Sequence, residues 1–223
     1  MKRGYRVSQV LKPKTLVQCD FDGTITEEDV SFSILGAFAN GDWRQLLADH
    51  REGRISVGCF NQKAFAMVRA SEHAMIEVAK RKAKTRDGFE ELVNRCHRNG
   101  FRLVIVSNGL DFYIKEILED VGIDDIEVFA AQTEFCPEGI RVQYVGPNGN
   151  LLDEGFKEAY TKLFLAEGYR IMYVGNGVSD IGPAQLAHHI FACGELLRHC
   201  NRASIPCTPF VNLNDVAKRL EIL

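Results

Sequence analysis

Apolar and polar positions follow two periodicities along the chain, and their order predicts an α/β protein. Short apolar runs predict buried strands over 15–19, 101–106, 126–130, 169–174 and 189–192. Apolar residues at three- and four-residue spacing predict helices over 29–39, 42–50, 56–69, 72–84, 87–100, 110–121, 154–167, 180–188 and from about 214 onward. Strands that alternate with helices after residue 87 favour a Rossmann-like parallel sheet covered on both faces.

The interval between the first two predicted strands carries only helical patterns. Ser71 stands where it can cap the fourth of these helices. A helical segment of this length, placed after the first strand, suggests a separate unit. We therefore expect residues 30–84 to form a small helical domain, inserted into a core domain made of residues 1–29 and 85–223.

Local sequence signals add two further expectations. The stretch DGFE at 87–90 has the form of a capping box, so it should open a helix that Gly100 closes. Two short alternating runs surround Pro-Asn-Gly within residues 132–152, which predicts a hairpin around that turn.

Composition and charge narrow the class of protein. The 223 residues are 46% hydrophobic and 26% charged, which is typical of a globular chain with a real core. The net charge of −3 gives no basic bias toward nucleic acid. No apolar run is long enough to cross a membrane, and the basic opening MKRGYRVSQVLKPK lacks the apolar stretch of a signal peptide. We expect a cytoplasmic protein that binds neither nucleic acid nor membrane; its oligomeric state is left open.

The cysteines point to the same compartment. They number seven, they are dispersed, and none forms a CxxC pair, which fits reduced thiols. Cys193, Cys200, Cys207 and His199 gather near the C-terminal end, where a metal site is conceivable. Their seven-residue spacing matches no common zinc motif, so ordinary thiols are favoured.

Candidate chemistry lies where three of the predicted strands end. Asp20 and Asp22 follow the first strand, Ser107 follows the second, and the loop VGNGVSD at 174–180 follows a later one. Lys157 lies near the start of the helix that precedes this loop. Each residue alone has a structural explanation, such as a helix cap or a solvated charge. Together they lie at the sheet edge where α/β proteins bind ligands, and they suit phosphoryl transfer.

The motifs DFDGT, VIVSNG, a lysine and VGNGVSD, in this order, resemble the four motifs of the haloacid dehalogenase superfamily. The inserted helices resemble the C1-type cap of its phosphoserine phosphatase branch, in which EGRIS at 52–56 and RDGFEEL at 86–92 also fit. The opening DFDGTIT followed by Asp29 is similar to phosphatases that act on a methylthio-substituted keto-enol phosphate of methionine salvage.

This resemblance implies a Mg²⁺-dependent phosphatase of a small phosphorylated metabolite. Asp20 would attack phosphorus and form an aspartyl-phosphate. Asp22 would protonate the leaving oxygen and then take a proton from the hydrolytic water. The metal would be held by the Asp20 carboxylate, the Asp22 carbonyl and Asn176, with Asp180 binding it directly or orienting its water.

The resemblance also implies a phosphate site and a specificity residue. Thr24, Ser107 and Asn108 would hold phosphate oxygens, and Lys157 would neutralise charge between the nucleophile and the phosphate. Asp29 begins the insert a few residues after Asp22, so it should face the entrance and influence substrate choice.

Two departures from the family pattern keep other functions open. Most relatives have Asp where this chain has Asn176, so a catalytically weak protein that binds a phosphometabolite or a protein partner is the alternative function. The cap arginine that serine phosphatases use is replaced by Ala64, beside Lys63, which disfavours phosphoserine. A dehalogenase is disfavoured because Asp22 and the metal loop have no purpose in that reaction.

Overall fold

The structure is a computed structural model that describes residues 14–222, and these residues build one mixed sheet between two layers of helices. The strands are β1 Thr15–Cys19, β2 Arg102–Leu110, β3 Glu127–Cys136, β4 Gly139–Gln143, β5 Arg170–Gly175, β6 His189–Ala192 and β7 Thr208–Pro209. Their order in the sheet is β4-β3-β2-β1-β5-β6-β7. Neighbours run parallel except β3 and β4, which confirms the α/β, Rossmann-like class.

The helices alternate with these strands after the insert. They are α1 Val30–Phe38, α2 Trp43–Arg51, α3 Val57–Phe65, α4 Glu72–Lys82, α5 Phe89–Asn99, α6 Asp111–Asp120, α7 Phe156–Ala166, α8 Ile181–Gln185, α9 Gly194–Ala203 and α10 Leu213–Leu220. A short 3₁₀ turn, Val178–Asp180, leads into α8.

The central strand β1 brings the chemistry-bearing loops together. All five of its residues are buried, as expected of a strand covered on both faces. Cys19 at its end pairs with Ile105 of β2 on one side and Val174 of β5 on the other. The loops that follow these three strands therefore open at the same edge of the sheet.

The four helices α1–α4 lie between β1 and α5, as the pattern predicted. Asp29, Asp42, Ser56 and Ser71 each cap one of them through a side-chain oxygen, which confirms Ser71. Buried residues of this insert share one continuous apolar cluster with the sheet. The division into core and cap at residues 29/30 and 84/85 stays a prediction, and residues 1–13 of that core lie outside the described residues.

The capping box predicted at 87–90 is wrong. The N-cap of α5 is Gly88, with a left-handed φ of +89° and no side-chain cap. A Cβ on this glycine would lie 2.2 Å from the backbone N of Asn214. The Asp87 carbonyl accepts a hydrogen bond from the Leu213 N–H, so contact with α10 fixes the start of α5. Gly100 ends the helix in a left-handed conformation, as predicted.

The predicted hairpin is only partly correct. The antiparallel pair is β3 with β4, and it turns at residues 137–138. Pro147-Asn148-Gly149 forms a separate small turn, closed by a bridge between Val145 and Leu151. The run before Pro-Asn-Gly therefore pairs mainly with β3, which is longer than predicted, whereas the run after the turn contributes the bridge at Leu151.

The C-terminal part contains two elements that the pattern did not predict, α9 and β7. The seven cysteines are free thiols, as expected. Within residues 14–222 no group of three or more His, Cys, Asp or Glu side chains could hold a metal ion, and this includes the cysteines near His199. None of the described helices is both long and apolar enough to span a membrane. The opening residues examined for a signal peptide lie largely outside the described residues.

Candidate active site

A cavity of about 340 Å³ opens at the carboxyl ends of β1, β2 and β5, between the sheet and the inserted helices. Most of the residues predicted as catalytic or binding groups line it: Asp20, Asp22, Asp29, Ser107, Asn108, Lys157 and Asn176. Thr24 and Asp180 are fully buried behind its wall. The structure therefore gathers side chains that are widely separated in the sequence.

A buried ion triplet lies at the base of the cavity. The Lys157 ammonium is 2.7 Å from Asp20 Oδ1 and 2.7 Å from Asp180 Oδ1, and its side chain is only 1% exposed. Although burial alone would lower the pKa of Lys157, the carboxylates of Asp180 and Asp20 hold it above its ordinary value. Burial raises the pKa of Asp20 to about 7, and the Asp180 carboxylate adds to the rise. The positive charge of Lys157 thus offsets the repulsion between the Asp20 and Asp180 carboxylates.

Asp180 anchors the loop that follows β5. Besides Lys157, its carboxylate accepts hydrogen bonds from the Tyr173 hydroxyl at 2.6 Å and from the backbone N–H groups of Asn176 and Gly177 at 2.9 and 2.8 Å. Lys157 and these donors hold the pKa of Asp180 below its ordinary value although burial opposes them. A carboxylate with four donors is already saturated, which favours an indirect role for Asp180 beside a metal.

Asp22 lies between the sheet and the insert, and both of its oxygens accept hydrogen bonds. The Val30 N–H, at the start of α1, donates to Oδ1 at 2.9 Å, and the Tyr113 hydroxyl donates to Oδ2 at 2.6 Å. Burial raises the pKa of Asp22 to about 8, and the charge of Asp29 adds to the rise. A carboxyl group that holds its proton near neutral pH is suited to act as an acid.

Thr24, predicted to hold phosphate, is fully buried and supports the loop after β5. Its hydroxyl donates to Asn176 Oδ1 at 3.0 Å, so the side chain turns away from the cavity. Gly23 has a φ of +73°, and a Cβ there would lie 2.2 Å from Asn176 Nδ2. The tight first loop thus fixes the Asn176 amide. The phosphate contact of Thr24 stays a prediction.

The segment around Asn108, at the end of β2, is held in place partly by the insert. Ser107 is buried and its hydroxyl accepts from the Gly109 N–H at 3.0 Å. Asn61 of α3 and Tyr144 both donate to the Asn108 carbonyl, at 2.9 and 2.7 Å. β2 continues through residues 107–110 with an irregular register rather than ending at 106 as predicted. Because the Asn108 carbonyl is held from behind, its N–H keeps a fixed position at the cavity.

The residues present are chemically suited to Mg²⁺. Asp20, Asp22 and Asn176 line the same cavity and offer a carboxylate, a backbone carbonyl and an amide oxygen, all hard oxygen ligands. No backbone N–H within residues 14–222 donates to the Asp22 carbonyl, which leaves it available. Asp20 supplies the single carboxylate among these three ligand groups. The site therefore offers less negative charge than a site with two carboxylates would.

The insert forms the opposite wall of the cavity. Asp29 lines it, as predicted, while its carboxylate caps α1 by accepting from the Phe32 N–H at 3.2 Å. Phe32 and Phe60 contact each other edge to face at 6.4 Å, and His50 stacks on Phe60 at 6.0 Å. Arg51, at the end of α2, also lines the wall. An apolar surface with a polar edge therefore faces the ion triplet.

Sequence analysis missed several of these residues. Tyr113, Asn61 and Tyr144 hold the predicted loops in place, yet each contacts a group far away in the sequence, so no local motif marks them. His50 and Arg51 occupy ordinary positions of a helical pattern. The aromatic residues of the insert are the one signal that the sequence offers, and Phe32 and Phe60 are among them.

The loops and strand order described above are those of a hydrolase family. The sequence profile of the haloacid dehalogenase-like hydrolases matches residues 17–185, and the chain belongs to this family. Within it the chain is a phosphoric monoester hydrolase.

Individual relatives support this assignment. A 2-hydroxy-3-keto-5-methylthiopentenyl-1-phosphate phosphatase of Geobacillus thermodenitrificans is 30% identical over 96% of this chain and 98% of its own length. The enzyme of the same name from Geobacillus kaustophilus is 31% identical over 91% of this chain and 94% of its own length. A substrate-bound phosphoserine phosphatase has the same fold, with a TM-score of 0.70 and 22% identity over 93% of this chain and 99% of its own.

Proposed function

We propose that this chain is a Mg²⁺-dependent phosphatase that works through an aspartyl-phosphate. The observation that carries the proposal is the position of Asp20, which lines the cavity with Lys157 at one carboxylate oxygen. Its other oxygen makes no hydrogen bond or ion pair to any of residues 14–222, so it is available to phosphorus. Asp22 lines the same cavity only two positions further on.

The proposed reaction has two steps. An Asp20 oxygen attacks phosphorus, the bond to the ester oxygen breaks, and Asp22 gives that oxygen a proton. Water then attacks the aspartyl-phosphate and gives a proton to Asp22, and inorganic phosphate leaves with Asp20 restored. Lys157, the Ser107 hydroxyl and the Asn108 N–H stabilise the phosphoryl oxygens.

The metal is assigned to Asp20, the Asp22 carbonyl and Asn176, with Asp180 holding the loop. When bound, Mg²⁺ would offset the charge of the phosphoryl group. Asn176 is fixed by Thr24 and by the backbone contacts of its loop with Asp180. This fixed position is what makes an uncharged amide a usable ligand here.

The proposed substrate is a small keto-enol phosphate of the kind named for the relatives. Two features support it: the 30–31% identity to those phosphatases and the apolar wall of Phe32 and Phe60, against which a methylthio group would pack. We further propose that residues 30–84 act as a cap over the core of 1–29 and 85–223, and that the enzyme is cytoplasmic.

A screen of phosphorylated metabolites, including the methionine-salvage keto-enol phosphate, tests the proposal through release of inorganic phosphate with and without Mg²⁺. We expect turnover that EDTA abolishes and that Asp20→Asn eliminates, because an amide cannot attack phosphorus. Tyr160→Phe, which removes a hydroxyl that bonds the Val145 carbonyl and does not line the cavity, is the control and should keep activity. Full activity of a homogeneous, non-deamidated Asp20→Asn sample would contradict the mechanism.

The second candidate is a weakly active binder of a phosphometabolite, and Asn176 is the observation that favours it. One fewer carboxylate weakens attraction for a divalent ion. The same screen separates the two functions, since steady Mg²⁺-dependent hydrolysis of p-nitrophenyl phosphate is expected only of the enzyme. Saturable binding of a metabolite without hydrolysis would favour the binder.

A further inference from the structure

The hydroxyl of Tyr113 joins Asp22 to the insert. It donates to Asp22 Oδ2 at 2.6 Å and lies 2.8 Å from the Ser31 hydroxyl in the first turn of α1. Tyr113 is 0% exposed and Ser31 is 5% exposed. In such a dry setting a hydrogen bond is electrostatically stronger than in water, and a lost partner is costly.

The packing around Tyr113 leaves its hydroxyl no other position. The ring contacts Phe21 at 6.4 Å and Phe112 at 5.5 Å between centroids. A Cβ on Gly109 would lie 2.2 Å from the Tyr113 hydroxyl and 2.3 Å from Asp22 Oδ2. Only a glycine at 109 lets these two oxygens meet, so three different elements converge on this one contact.

An aspartate that delivers a proton must be held in a defined orientation. Its short side chain rotates freely unless its oxygens are fixed, and small misplacement of a catalytic group is costly in rate. The Val30 N–H fixes one Asp22 oxygen and Tyr113 fixes the other. Since Val30 and Ser31 both belong to α1, the orientation of Asp22 depends on where the insert lies.

We infer that Tyr113 is a positioning residue for Asp22, and that Ser31 in turn orients the Tyr113 hydroxyl. The inference rests on the proposed function, in which Asp22 gives a proton to the leaving oxygen. Tyr113 is fully buried and does not line the cavity, so its effect should follow the need for that proton.

The test is Tyr113→Phe, assayed on an alkyl phosphate and on p-nitrophenyl phosphate. The alkoxide needs a proton to leave, whereas p-nitrophenolate is a stable anion and needs little help. We expect kcat/KM to fall about tenfold with the alkyl phosphate, within the range of general acid catalysis, and to change little with p-nitrophenyl phosphate. Tyr160→Phe is the control, because it also removes a Tyr hydroxyl that donates within the fold, to the Val145 carbonyl.

Asp22→Asn serves as the reference for the proposed function. It should lose far more activity on the alkyl phosphate, and adding Tyr113→Phe should slow it no further. If Asp22→Asn shows no dependence on the leaving group, the role of Asp22 is wrong and the role of Tyr113 falls with it. If Asp22→Asn shows that dependence but Tyr113→Phe slows both substrates equally or neither, only the inference about Tyr113 is overturned.

Ser31→Ala covers the case in which Tyr113→Phe does not fold. It leaves the Tyr113 ring in place and removes the partner of its hydroxyl, a group that also lines the cavity and bonds the Asp29 carboxylate. A smaller loss, again confined to the alkyl phosphate, supports the inference. Equal effects on both substrates would overturn it.

Discussion

In the proposed metal site, the uncharged side chain of Asn176 limits the negative charge that a metal would meet. Its amide oxygen accepts from Thr24, and its backbone N–H is bound to Asp180. The carboxylate of Asp180 is saturated by its own donors, so it cannot readily replace the missing charge. At the scale of single residues, the first question is therefore the affinity for Mg²⁺.

We predict that Asn176→Asp lowers the Mg²⁺ concentration needed for half-maximal activity. A second anion near a divalent ion adds attraction that increases as the distance and the local dielectric fall. The measurement is phosphate release against Mg²⁺ concentration, with parent and variant at equal ionic strength. Asn108→Asp is the control, since it adds the same charge at the cavity without belonging to the proposed ligand set. An unmoved Mg²⁺ curve for Asn176→Asp would show that this side chain is not a ligand.

Residues whose role follows from strand position were predictable from the sequence. Asp20 and Asp22 end an apolar strand, and that pattern alone indicated a sheet-edge site. Tyr113 and Asn61 were not predictable in this way, since tertiary packing alone brings them to Asp22 and Asn108. Thr24 was assigned to phosphate because its motif resembles the family, whereas its fully buried hydroxyl supports Asn176.

At the scale of elements, the insert leaves and rejoins the sheet through paired segments. Thr26 bridges Thr85, the Glu27 N–H donates to the Lys84 carbonyl at 2.8 Å, and the Arg86 N–H donates to the Ile25 carbonyl at 2.7 Å. Helix α1 begins directly after this crossing, with Asp29 as its N-cap. The paired segments at residues 25–27 and 84–86 thus lead directly into the start of α1, where Asp29 lines the cavity.

We predict that Asp29→Ala changes the ranking among substrates while hydrolysis of p-nitrophenyl phosphate stays within a few-fold of parent. Asp29 lines the cavity but contacts neither Asp20 nor Lys157 directly. Loss of an N-cap should also cost about 1 kcal/mol of unfolding free energy. Ser71→Ala removes the equivalent cap of α4, away from the cavity, and should cost similar stability without any change in ranking.

Equal loss on every substrate for Asp29→Ala would mean that the residue only caps α1. The comparison requires kcat/KM for several phosphomonoesters and a urea unfolding curve for each variant. Asp29→Ala and Ser71→Ala each remove a helix N-cap, so both should lower the free energy of unfolding. Only a variant that affects substrate recognition should also change the ranking of kcat/KM values.

The types of most elements were predictable, but α9 and β7 were missed and several element ends were not predictable. The caps Asp29, Ser56 and Ser71 follow local rules, and those helices start as predicted within one or two residues. The start of α5 follows no local rule, since contact of Gly88 with Asn214 decides it. β2 extends past residue 106 for a similar reason, because β3 continues beside it.

At the scale of the whole molecule, Arg86 joins the first loop to the C-terminal region. Its guanidinium donates to the carbonyls of Gly23 and Thr24 at 2.8 Å each and to that of Val211 at 3.0 Å. It also lies over the Phe210 ring, 5.9 Å from the centroid. The Arg86 side chain, just after the insert, therefore links the turn at Gly23 and Thr24 to the segment before α10.

We predict that Arg86→Met lowers the free energy of unfolding by about 2 kcal/mol, because hydrogen bonds from a charged donor to three carbonyls are lost. Urea denaturation of parent and variant measures the difference. Arg54→Met is the matched control: its ion pairs with Asp49 and Glu52 are exposed, and such pairs contribute little. Equal destabilisation by both changes would contradict this role of Arg86.

The central position of β1 has a consequence for how the chain is made. Thr15–Cys19 is synthesised before its partners β2 and β5, and Cys19 can meet Val174 only after all the residues between them have been synthesised. Until then both edges of an apolar strand lack their native neighbours, which is the arrangement most exposed to misassociation. Parallel pairing over such sequence separations also slows folding. A nascent chain that ends before β5 therefore carries Asp20 and Asp22 but lacks Asp180, which contacts Lys157 in the folded site. We expect the proposed site to be complete only after β5 and the loop that follows it have been synthesised.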